Sequence, residues 1–246
     1  MRTAAPAATL IGVVMVLGGC ADTPSHTVTV LAAASLTKPF TALGGTFSDA
    51  NPPERVEFSF AGSADLLTQL THGAPGDVFA AADTATMDKA ARAGLLAGPP
   101  VAFASNTLTI AVAPGNPKGI KGFRDLAGVA VVVCARQVPC GAALPRLQDE
   151  AGVRLAPVSG EASVTAVLNT VTSGQADAGL VYVTDARAAG EKVSTVAFPE
   201  AATAVNTYQV AVLKDAREPG LARRFVDVVT GPTGRQVLDA AGFGKP

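Results

Sequence analysis

The sequence contains no tryptophan, and aromatic residues make up only 5% of its 246 residues. Side chains that could stack on bases or sugars are therefore scarce. Only two histidines occur, His26 and His72, so the side chain that most often moves protons at neutral pH is nearly missing. Neither a G-x-S-x-G turn nor a phosphate-binding P-loop is found. These absences disfavour nucleic-acid binding and most kinds of catalysis.

Charged residues are also sparse. They make up 16% of the chain, with a formal net charge of -1 and a pI of about 6.1. Because no long basic run occurs, nothing favours binding to nucleic acid or to an acidic lipid surface. The apolar fraction is 48%, which is ample for a buried core. The length predicts a folded chain of one or two domains.

The N-terminus has the composition of an export signal. Arg2 is followed by an apolar run at about residues 8–17, and then by Leu17-Gly18-Gly19-Cys20. The run is too short for a transmembrane anchor, so we interpret residues 1–19 as a signal peptide. Small residues before a cysteine resemble the lipobox of bacterial lipoproteins, which implies acylation of Cys20 and anchoring to the outer face of the cell membrane. Residues 20–25 would then be a short tether. The alternative is an ordinary secretory signal with an incidental cysteine.

Two further cysteines, Cys134 and Cys140, form an even pair if Cys20 carries lipid. In an oxidising compartment they could form a disulfide that closes a small loop, worth about 2 kcal/mol on the chain-entropy model. They could equally remain two free thiols. No histidine lies near them in sequence, which disfavours a zinc site.

Strand and helix patterns alternate along the rest of the chain. Strands are predicted at residues 26–34, 55–61, 77–81, 108–113, 129–134, 178–182, 193–197 and 207–213. Helices are predicted at residues 36–50, 64–72, 84–93, 142–151, 163–173, 219–230 and 233–241. This order is typical of an α/β protein with parallel strands and helices on both faces of each sheet.

Two such sets of elements predict two α/β lobes with a cleft between them. We assign residues 26–110 and 208–246 to lobe 1 and residues 111–207 to lobe 2. The two connecting strands would lie near residues 110–113 and 205–209. Ligands of open α/β sheets bind at the carboxyl ends of the strands, where helix N-termini converge.

Two strand-to-helix junctions in lobe 1 carry a serine, Ser35 and Ser63. Taken singly, each serine is most simply explained as a helix cap. Free N–H groups, the positive end of a helix and a serine hydroxyl are also the components of an anion site. Two such junctions in one lobe strengthen the second interpretation.

Five short motifs in a fixed order resemble those of the molybdate-binding proteins of ABC importers, the ModA family. They are A-A-A-S-L at 32–36, F-A-G-S-A at 60–64, G-A-P-G-D-V-F at 73–79, V-P-C-G at 138–141 and G-L-V-Y-V-T-D-A at 179–186. The resemblance covers essentially the whole mature chain. It implies a two-lobed periplasmic-binding-protein fold of type II, with mixed sheets flanked by helices and the ligand in the interlobe cleft.

The resemblance also implies a ligand shell built from five residues. Hydroxyl groups would come from Ser35, Ser63 and Tyr182, and backbone N–H groups from the two serines, Cys140 and Val164. The family often has alanine where Cys140 stands, but a backbone donor tolerates that change. Each of these groups is a hydrogen-bond donor, as a fully deprotonated anion requires.

The function expected from the resemblance is capture of molybdate or tungstate, without a cofactor, for an ABC permease in the membrane. The protein would act as a monomer and would not be an enzyme. One alternative is a binding protein for another oxyanion such as sulfate, or for a small organic acid. The other is an enzyme on the same fold, as among some biosynthetic deaminases, which use an acid or base that the five matched positions lack.

Overall fold

The computed structural model describes residues 26–246 together with Met1. The remainder of the predicted signal peptide at 1–19, the tether at 20–25 and the predicted lipidation site Cys20 lie outside the described residues. Over 26–246 the strands are β1 (Thr27–Ala33), β2 (Arg55–Ala61), β3 (Val78–Ala81), β4 (Val101–Asn106), β5 (Leu108–Val112), β6 (Val131–Cys134), β7 (Ser159–Glu161), β8 (Ala178–Tyr182), β9 (Ser194–Val196) and β10 (Asn206–Val212). The α-helices are α1 (Thr37–Ala50), α2 (Ser63–Thr71), α3 (Thr84–Arg92), α4 (Pro139–Ala142), α5 (Leu144–Ala151), α6 (Val164–Thr172), α7 (Val183–Ala189), α8 (Pro219–Thr230) and α9 (Pro232–Ala241).

The strands form two separate five-stranded sheets of the same design. The first has the order β2-β1-β3-β10-β4, and the second has the order β7-β6-β8-β5-β9. In each sheet three neighbouring strands are parallel, and the fourth strand in the order, β10 or β5, is antiparallel to both of its neighbours. The predicted α/β fold with two lobes and mixed sheets is therefore confirmed.

Apolar side chains between the sheets and their helices form the core. Strands β3, β5, β6 and β8 are buried along their whole length, which explains why their sequences are nearly continuous apolar runs. In lobe 1, Phe40 and Phe47 of α1 meet Phe225 of α8 edge-on, with ring centroids 6.1 and 5.7 Å apart. The two C-terminal helices thus close lobe 1, although they follow lobe 2 in sequence.

The chain crosses between the lobes at two points. The first lies at Thr107, because β4 belongs to the first sheet and β5 pairs along its whole length with β8 of the second. The second lies at residues 204–205, just before β10. The sequence-based boundaries at 110/111 and 207/208 are therefore displaced by a few residues. The positions of the crossings depend on which strands pair. The apolar sequence of β5 would suit either sheet, so the sequence alone does not show which sheet it joins.

Candidate functional site

Residues that follow the carboxyl ends of strands in both sheets line one small cavity between the lobes. Its volume is about 20 Å³, and a single water molecule needs roughly 10–15 Å³ on this measure. The lining residues are Ala33, Ala34, Ser35, Gly62, Ser63, Ala82, Val138, Pro139, Cys140, Ser163, Val164 and Tyr182. The cavity therefore has room for a compact ligand only.

All five residues predicted from the sequence to hold the ligand line this cavity. They are Ser35, Ser63, Cys140, Val164 and Tyr182, and none is more than 9% exposed. The two serines follow β1 and β2 of lobe 1, and the other three follow or end strands of lobe 2. Positions spread over most of the chain thus meet at one point.

Helices α2 and α6 point their N-termini at the cavity from opposite lobes. The first N–H groups of a helix have no partner within it, and the helix dipole adds partial positive charge at this end. Helix α2 begins at Ser63 after Gly62, and α6 begins at Val164 after Ser163. The cavity is therefore faced by two sets of backbone donors.

The two predicted serines do not cap helices, which was the simpler interpretation of each. The N-cap of α2 is Gly62, and the Ser63 hydroxyl instead accepts a hydrogen bond from the N–H of Ala82 at 3.1 Å. The Ser35 Oγ lies 3.0 Å from the hydroxyl of Tyr208. By contrast, Ser163 does cap α6, by accepting from Ala166 N–H at 3.2 Å.

The sequence analysis missed two residues that contact site residues, Asn206 and Tyr208, and a third, Asn106, that contacts Tyr208. The Nδ2 of Asn206 donates to the Tyr182 hydroxyl at 2.7 Å. Tyr208 meets Ser35, and the Nδ2 of Asn106 lies 3.5 Å from the Tyr208 hydroxyl. The signal that could have revealed two of them is the polar triplet at 206–208, which opens an otherwise apolar strand.

Both tyrosines of this cluster are completely enclosed. Burial raises the pKa of Tyr182 well above its usual value, and neighbouring Tyr208, Asp83 and Asp185 raise it further. Burial also raises the pKa of Tyr208. Both phenols therefore stay protonated at neutral pH and can act as hydrogen-bond donors.

The lining of the cavity carries no charged side chain in the part of the chain that the structure describes. Neither Asp65 nor Asp185, the acidic residues near the predicted motifs, belongs to the lining. Every polar group that faces the cavity is thus a hydroxyl or a backbone group. A ligand that needs donors but no acceptor suits this surface.

The two lobes are in direct contact around the cavity. A Cβ added to Gly62 of lobe 1 would overlap the carbonyl oxygen of Ala162 in lobe 2. Farther out, the Lys38 Nζ donates to the carbonyl oxygen of Ala188 at 2.6 Å. The Asn106 Nδ2 donates to Thr184 Oγ1 at 2.7 Å. The structure therefore presents the lobes closed on each other.

Cys134 and Cys140 are joined by a disulfide, with their Cα atoms 5.6 Å apart. Cys134 ends β6 and Cys140 lies in the short helix α4. The next residue, Gly141, packs so tightly on the carbonyl groups of Cys134 and Ala135 that a Cβ would overlap them. The disulfide and this glycine together fix the backbone of Cys140 against the end of the strand.

A second, larger cavity of about 500 Å³ lies beside the first, between α1, α6, α7 and the end of α9. Asp185 lines it and is only 9% exposed, and its Oδ2 has no hydrogen-bond partner. Burial raises the pKa of this carboxyl to about 7, and hydrogen bonds with the backbone of Tyr182 and Asp185 offset only part of that effect. Lys38, Arg187 and Lys192 line the same cavity.

The Asp185→Asn variant is expected to be more stable than the wild type at pH 8, by about 4 kcal/mol. The folded-state pKa of about 7 lies above the ordinary value of 3.8 for an aspartic acid side chain. Between these values the folded protein holds a proton that the unfolded chain has lost, so wild-type stability falls as pH rises through this window and is constant above it. Asparagine stays neutral throughout. Urea denaturation at pH 4 to 8 measures the effect.

The control for this prediction is Asp88→Asn, which makes the same chemical change at an exposed position on α3 and is measured over the same pH range. Equal slopes of stability against pH in the wild type and the Asp185→Asn variant would contradict the raised pKa of Asp185.

Two other kinds of site were searched for in the described residues. No group of three or more His, Cys, Asp and Glu side chains there could hold a metal ion. None of the helices in that part of the chain is long and apolar enough to cross a membrane.

The chain matches known proteins over nearly its full length. Residues 28–244 match the family described as bacterial extracellular solute-binding protein. The molybdate-binding protein ModA of Mycobacterium tuberculosis (strain ATCC 25618 / H37Rv) is 56% identical over 224 residues, which are 90% of this chain and 86% of that protein. ModA of Escherichia coli (strain K12) is 29% identical over 236 residues, 88% of each chain.

Solved structures show the same fold at lower identity. The periplasmic molybdate-binding protein of Azotobacter vinelandii superposes with a TM-score of 0.74 at 24% identity, over 89% of this chain and 99% of that one. The sulfate-binding protein SubI of Mycobacterium tuberculosis H37Rv superposes with a TM-score of 0.76 at 19% identity, over 88% of this chain and 86% of that one. The fold alone is therefore shared by proteins named for different oxyanions.

Proposed function

Because the chain belongs to the bacterial extracellular solute-binding proteins, and within them to the ModA family, we propose that it captures molybdate or tungstate for an ABC import permease. The proposed ligand shell consists of Ser35, Ser63, Cys140, Val164 and Tyr182. The observation that carries the proposal is the convergence of these five residues on one small uncharged cavity between the lobes.

The chemistry of the cavity suits a fully deprotonated tetrahedral oxyanion. Such an anion only accepts hydrogen bonds, and the cavity offers hydroxyl and backbone donors without a carboxylate. Hydrogen bonds to a charged partner are roughly twice as strong as neutral ones. Two helix N-termini spread the compensating charge, so no lysine or arginine needs to be desolvated at the site.

Sulfate is the second candidate ligand, because it is also a pure acceptor and because a sulfate-binding protein shares the fold. The small volume of the cavity argues against an organic acid. Phosphate is disfavoured because it carries a proton at neutral pH, which calls for an acceptor. The 56% identity to a protein named for molybdate favours molybdate over sulfate.

Binding would proceed by closure of the lobes. Lobe 1 supplies Ser35 and Ser63, and lobe 2 supplies Cys140, Val164 and Tyr182, so only the closed state offers all donors to the anion. The ligand therefore stabilises that state by its differential contacts. The closed protein would be the form that docks on the permease.

The remaining properties are proposed together with this role. The protein would be a monomer that acts outside the cytoplasm, held to the outer face of the membrane through acylated Cys20. It would bind its ligand without transforming it, since no acid or base faces the cavity. We assign residues 26–106 and 206–246 to lobe 1 and residues 108–203 to lobe 2, with the connections at 107 and 204–205 as hinges.

Isothermal titration of the chain from residue 21 onward with molybdate, tungstate, sulfate and phosphate tests the function. We expect tight binding of the first two and at least about 100-fold weaker binding of the others, a difference of about 3 kcal/mol. Sulfate binding as tightly as molybdate would identify the second candidate. Heat from none of the four anions would refute oxyanion capture.

A further inference from the structure

The side-chain amide of Asn206 has one orientation that satisfies its neighbours. Its Nδ2 lies 3.3 Å from the carbonyl oxygen of Ala82, 3.4 Å from that of Pro139 and 2.7 Å from the hydroxyl of Tyr182. Carbonyl oxygens only accept hydrogen bonds, so the NH₂ group must face them. Because an NH₂ group only donates, the Tyr182 oxygen accepts from it. The Tyr182 proton is thereby directed away from Asn206, and its remaining acceptors are the neighbouring Tyr208 hydroxyl and a ligand in the cavity that Tyr182 lines.

A second chain of hydrogen bonds leads to Ser35. The Oδ1 of Asn106 accepts from the backbone N–H of Thr107 at 3.0 Å, which fixes the orientation of its amide. Its NH₂ group then faces Thr184 Oγ1 at 2.7 Å and the Tyr208 oxygen at 3.5 Å. The Tyr208 hydroxyl lies 3.0 Å from Ser35 Oγ, and either oxygen can be the donor. The arrangement that suits the anion is the one in which Tyr208 donates to Ser35. The Ser35 proton is then free for the cavity.

The third hydroxyl is set in the same way by the backbone. Ser63 Oγ accepts from the N–H of Ala82 at 3.1 Å, and a backbone N–H has no other role than to donate. Tyr182 and Ser63 therefore each accept a hydrogen bond from a group that can only donate, and Ser35 does so in the arrangement in which Tyr208 donates to it. Asn206, Asn106 and Tyr208 do not themselves line the cavity.

We infer that Asn206 and the Asn106–Tyr208 pair are positioning residues, which turn the Tyr182 and Ser35 hydroxyls into fixed donors aimed at the anion. This inference rests on the proposed oxyanion function of the cavity. A hydroxyl normally rotates to suit its partner and can donate or accept. Here its rotation is restricted, so the site is committed to ligands that carry no proton.

This arrangement has a consequence for selectivity. Hydrogen phosphate carries an O–H group that needs an acceptor, and in this site it would face fixed donors. Leaving a buried polar group unpaired is costly, which is how a hydrogen-bonding site rejects a near-isosteric ligand. Freeing the hydroxyls should therefore reduce the preference for molybdate over phosphate, and not merely weaken all binding equally.

The test is a double-mutant cycle on the soluble chain, with titration by molybdate and phosphate at pH 7. Asn206→Ala is expected to weaken molybdate binding about tenfold in the wild type and less than about twofold in the Tyr182→Phe background, because the effect acts through the Tyr182 hydroxyl. The ratio of phosphate to molybdate Kd is expected to fall about tenfold in the Asn206→Ala variant. The inference would be overturned if Asn206→Ala weakened molybdate binding by the same factor in the wild type and in Tyr182→Phe, and left the ratio of phosphate to molybdate Kd unchanged.

A second cycle covers the case in which Asn206→Ala fails to fold. Tyr208→Phe retains the ring, which packs edge-on against Phe103 and Phe243 at centroid distances of 6.2 and 5.3 Å. It removes only the hydroxyl that orients Ser35. We expect Tyr208→Phe to weaken molybdate binding about tenfold alone and to have little further effect on Ser35→Ala. If the losses of molybdate affinity caused by Tyr208→Phe and by Ser35→Ala instead multiply in the double variant, this cycle too would count against the inference.

Asn51→Ala is the matched control, since its amide bonds only within lobe 1, to the carbonyl oxygen of Phe47 and to Arg224. Its molybdate Kd should equal that of the wild type. A wild-type protein that binds no oxyanion would refute the proposed function and this inference together. A wild type that binds molybdate while both cycles are multiplicative would refute the inference alone.

Discussion

Replacing Gly62 by alanine is expected to weaken molybdate binding about 100-fold while leaving the unliganded protein as stable as the wild type. The added Cβ would overlap the carbonyl oxygen of Ala162 in the opposite lobe. Gly62 has φ -59° and ψ 136°, a conformation that alanine adopts without strain. Within lobe 1 the nearest atom to the added Cβ is Asp65 Oδ2 at 3.3 Å, the end of a flexible side chain, so the large cost arises when the lobes meet. Each hydrogen bond to a charged ligand that fails to form costs about 1.5–3 kcal/mol, and about 1.4 kcal/mol is a factor of ten.

Titration calorimetry measures this loss, and thermal denaturation with and without molybdate separates it from any change in folding. Gly45→Ala is the control: it lies in α1, and no atom lies within 4 Å of its added Cβ. That variant should keep its affinity and gain about 0.5–1 kcal/mol in stability, as a helix glycine replaced by alanine does. Wild-type affinity in Gly62→Ala would show that the lobes do not need this contact in order to close.

The double variant Ser35→Ala, Ser63→Ala is expected to lose about 1,000-fold in molybdate affinity, and each single variant about 10- to 100-fold. Each substitution would remove one hydrogen bond from a serine hydroxyl to the charged anion, worth about 1.5–3 kcal/mol. Both serines are nearly enclosed, at 9% and 2% exposure, so water cannot easily replace the lost donor. Titration calorimetry over this range needs competition with a weaker oxyanion.

Ser173→Ala serves as the control, since that hydroxyl is exposed at the end of α6 and bonds only to the carbonyl oxygen of Thr170. Its affinity should not change. The unliganded Tm of each variant must be measured as well, because Tyr208 and the N–H of Ala82 lose a partner when the serines are removed. An unchanged molybdate Kd in the double variant would disprove the assignment of both residues to the site.

Local patterns were enough to predict most of the elements. The strand predicted at 55–61 coincides with β2, and the helix predicted at 84–93 corresponds to α3 with its N-cap at Asp83. Elements of weak local signal were missed. Strand β4 is an edge strand whose first two residues are exposed, β7 has three residues, and α7 has seven. The sequence of β7, Ser-Gly-Glu, contains no apolar residue, so it lacks the run by which buried strands are detected.

Four of the five candidate ligand residues lie in short motifs that could be matched to a family, and Val164 opens the helix that follows β7. The contacts of their supporting residues could not be predicted, since Asn206 meets Tyr182, and Asn106 meets Thr184, only where two distant chain segments come together. The same limit applies to the hinges. Whether β5 joins the first or second sheet depends on its pairing with β8, and an apolar strand would suit either sheet equally well.

The two crossings of the chain, at Thr107 and at residues 204–205, make each lobe a tethered partner of the other. In the proposed site each lobe carries only half of the donors, so the anion acts as a bivalent crosslinker between two weak half-sites. Its affinity is then largely an avidity, set by the high effective concentration at which the tethers hold one half-site near the other. A partner that only spreads the lobes would lower that concentration and release the anion, without competing for a single hydrogen bond.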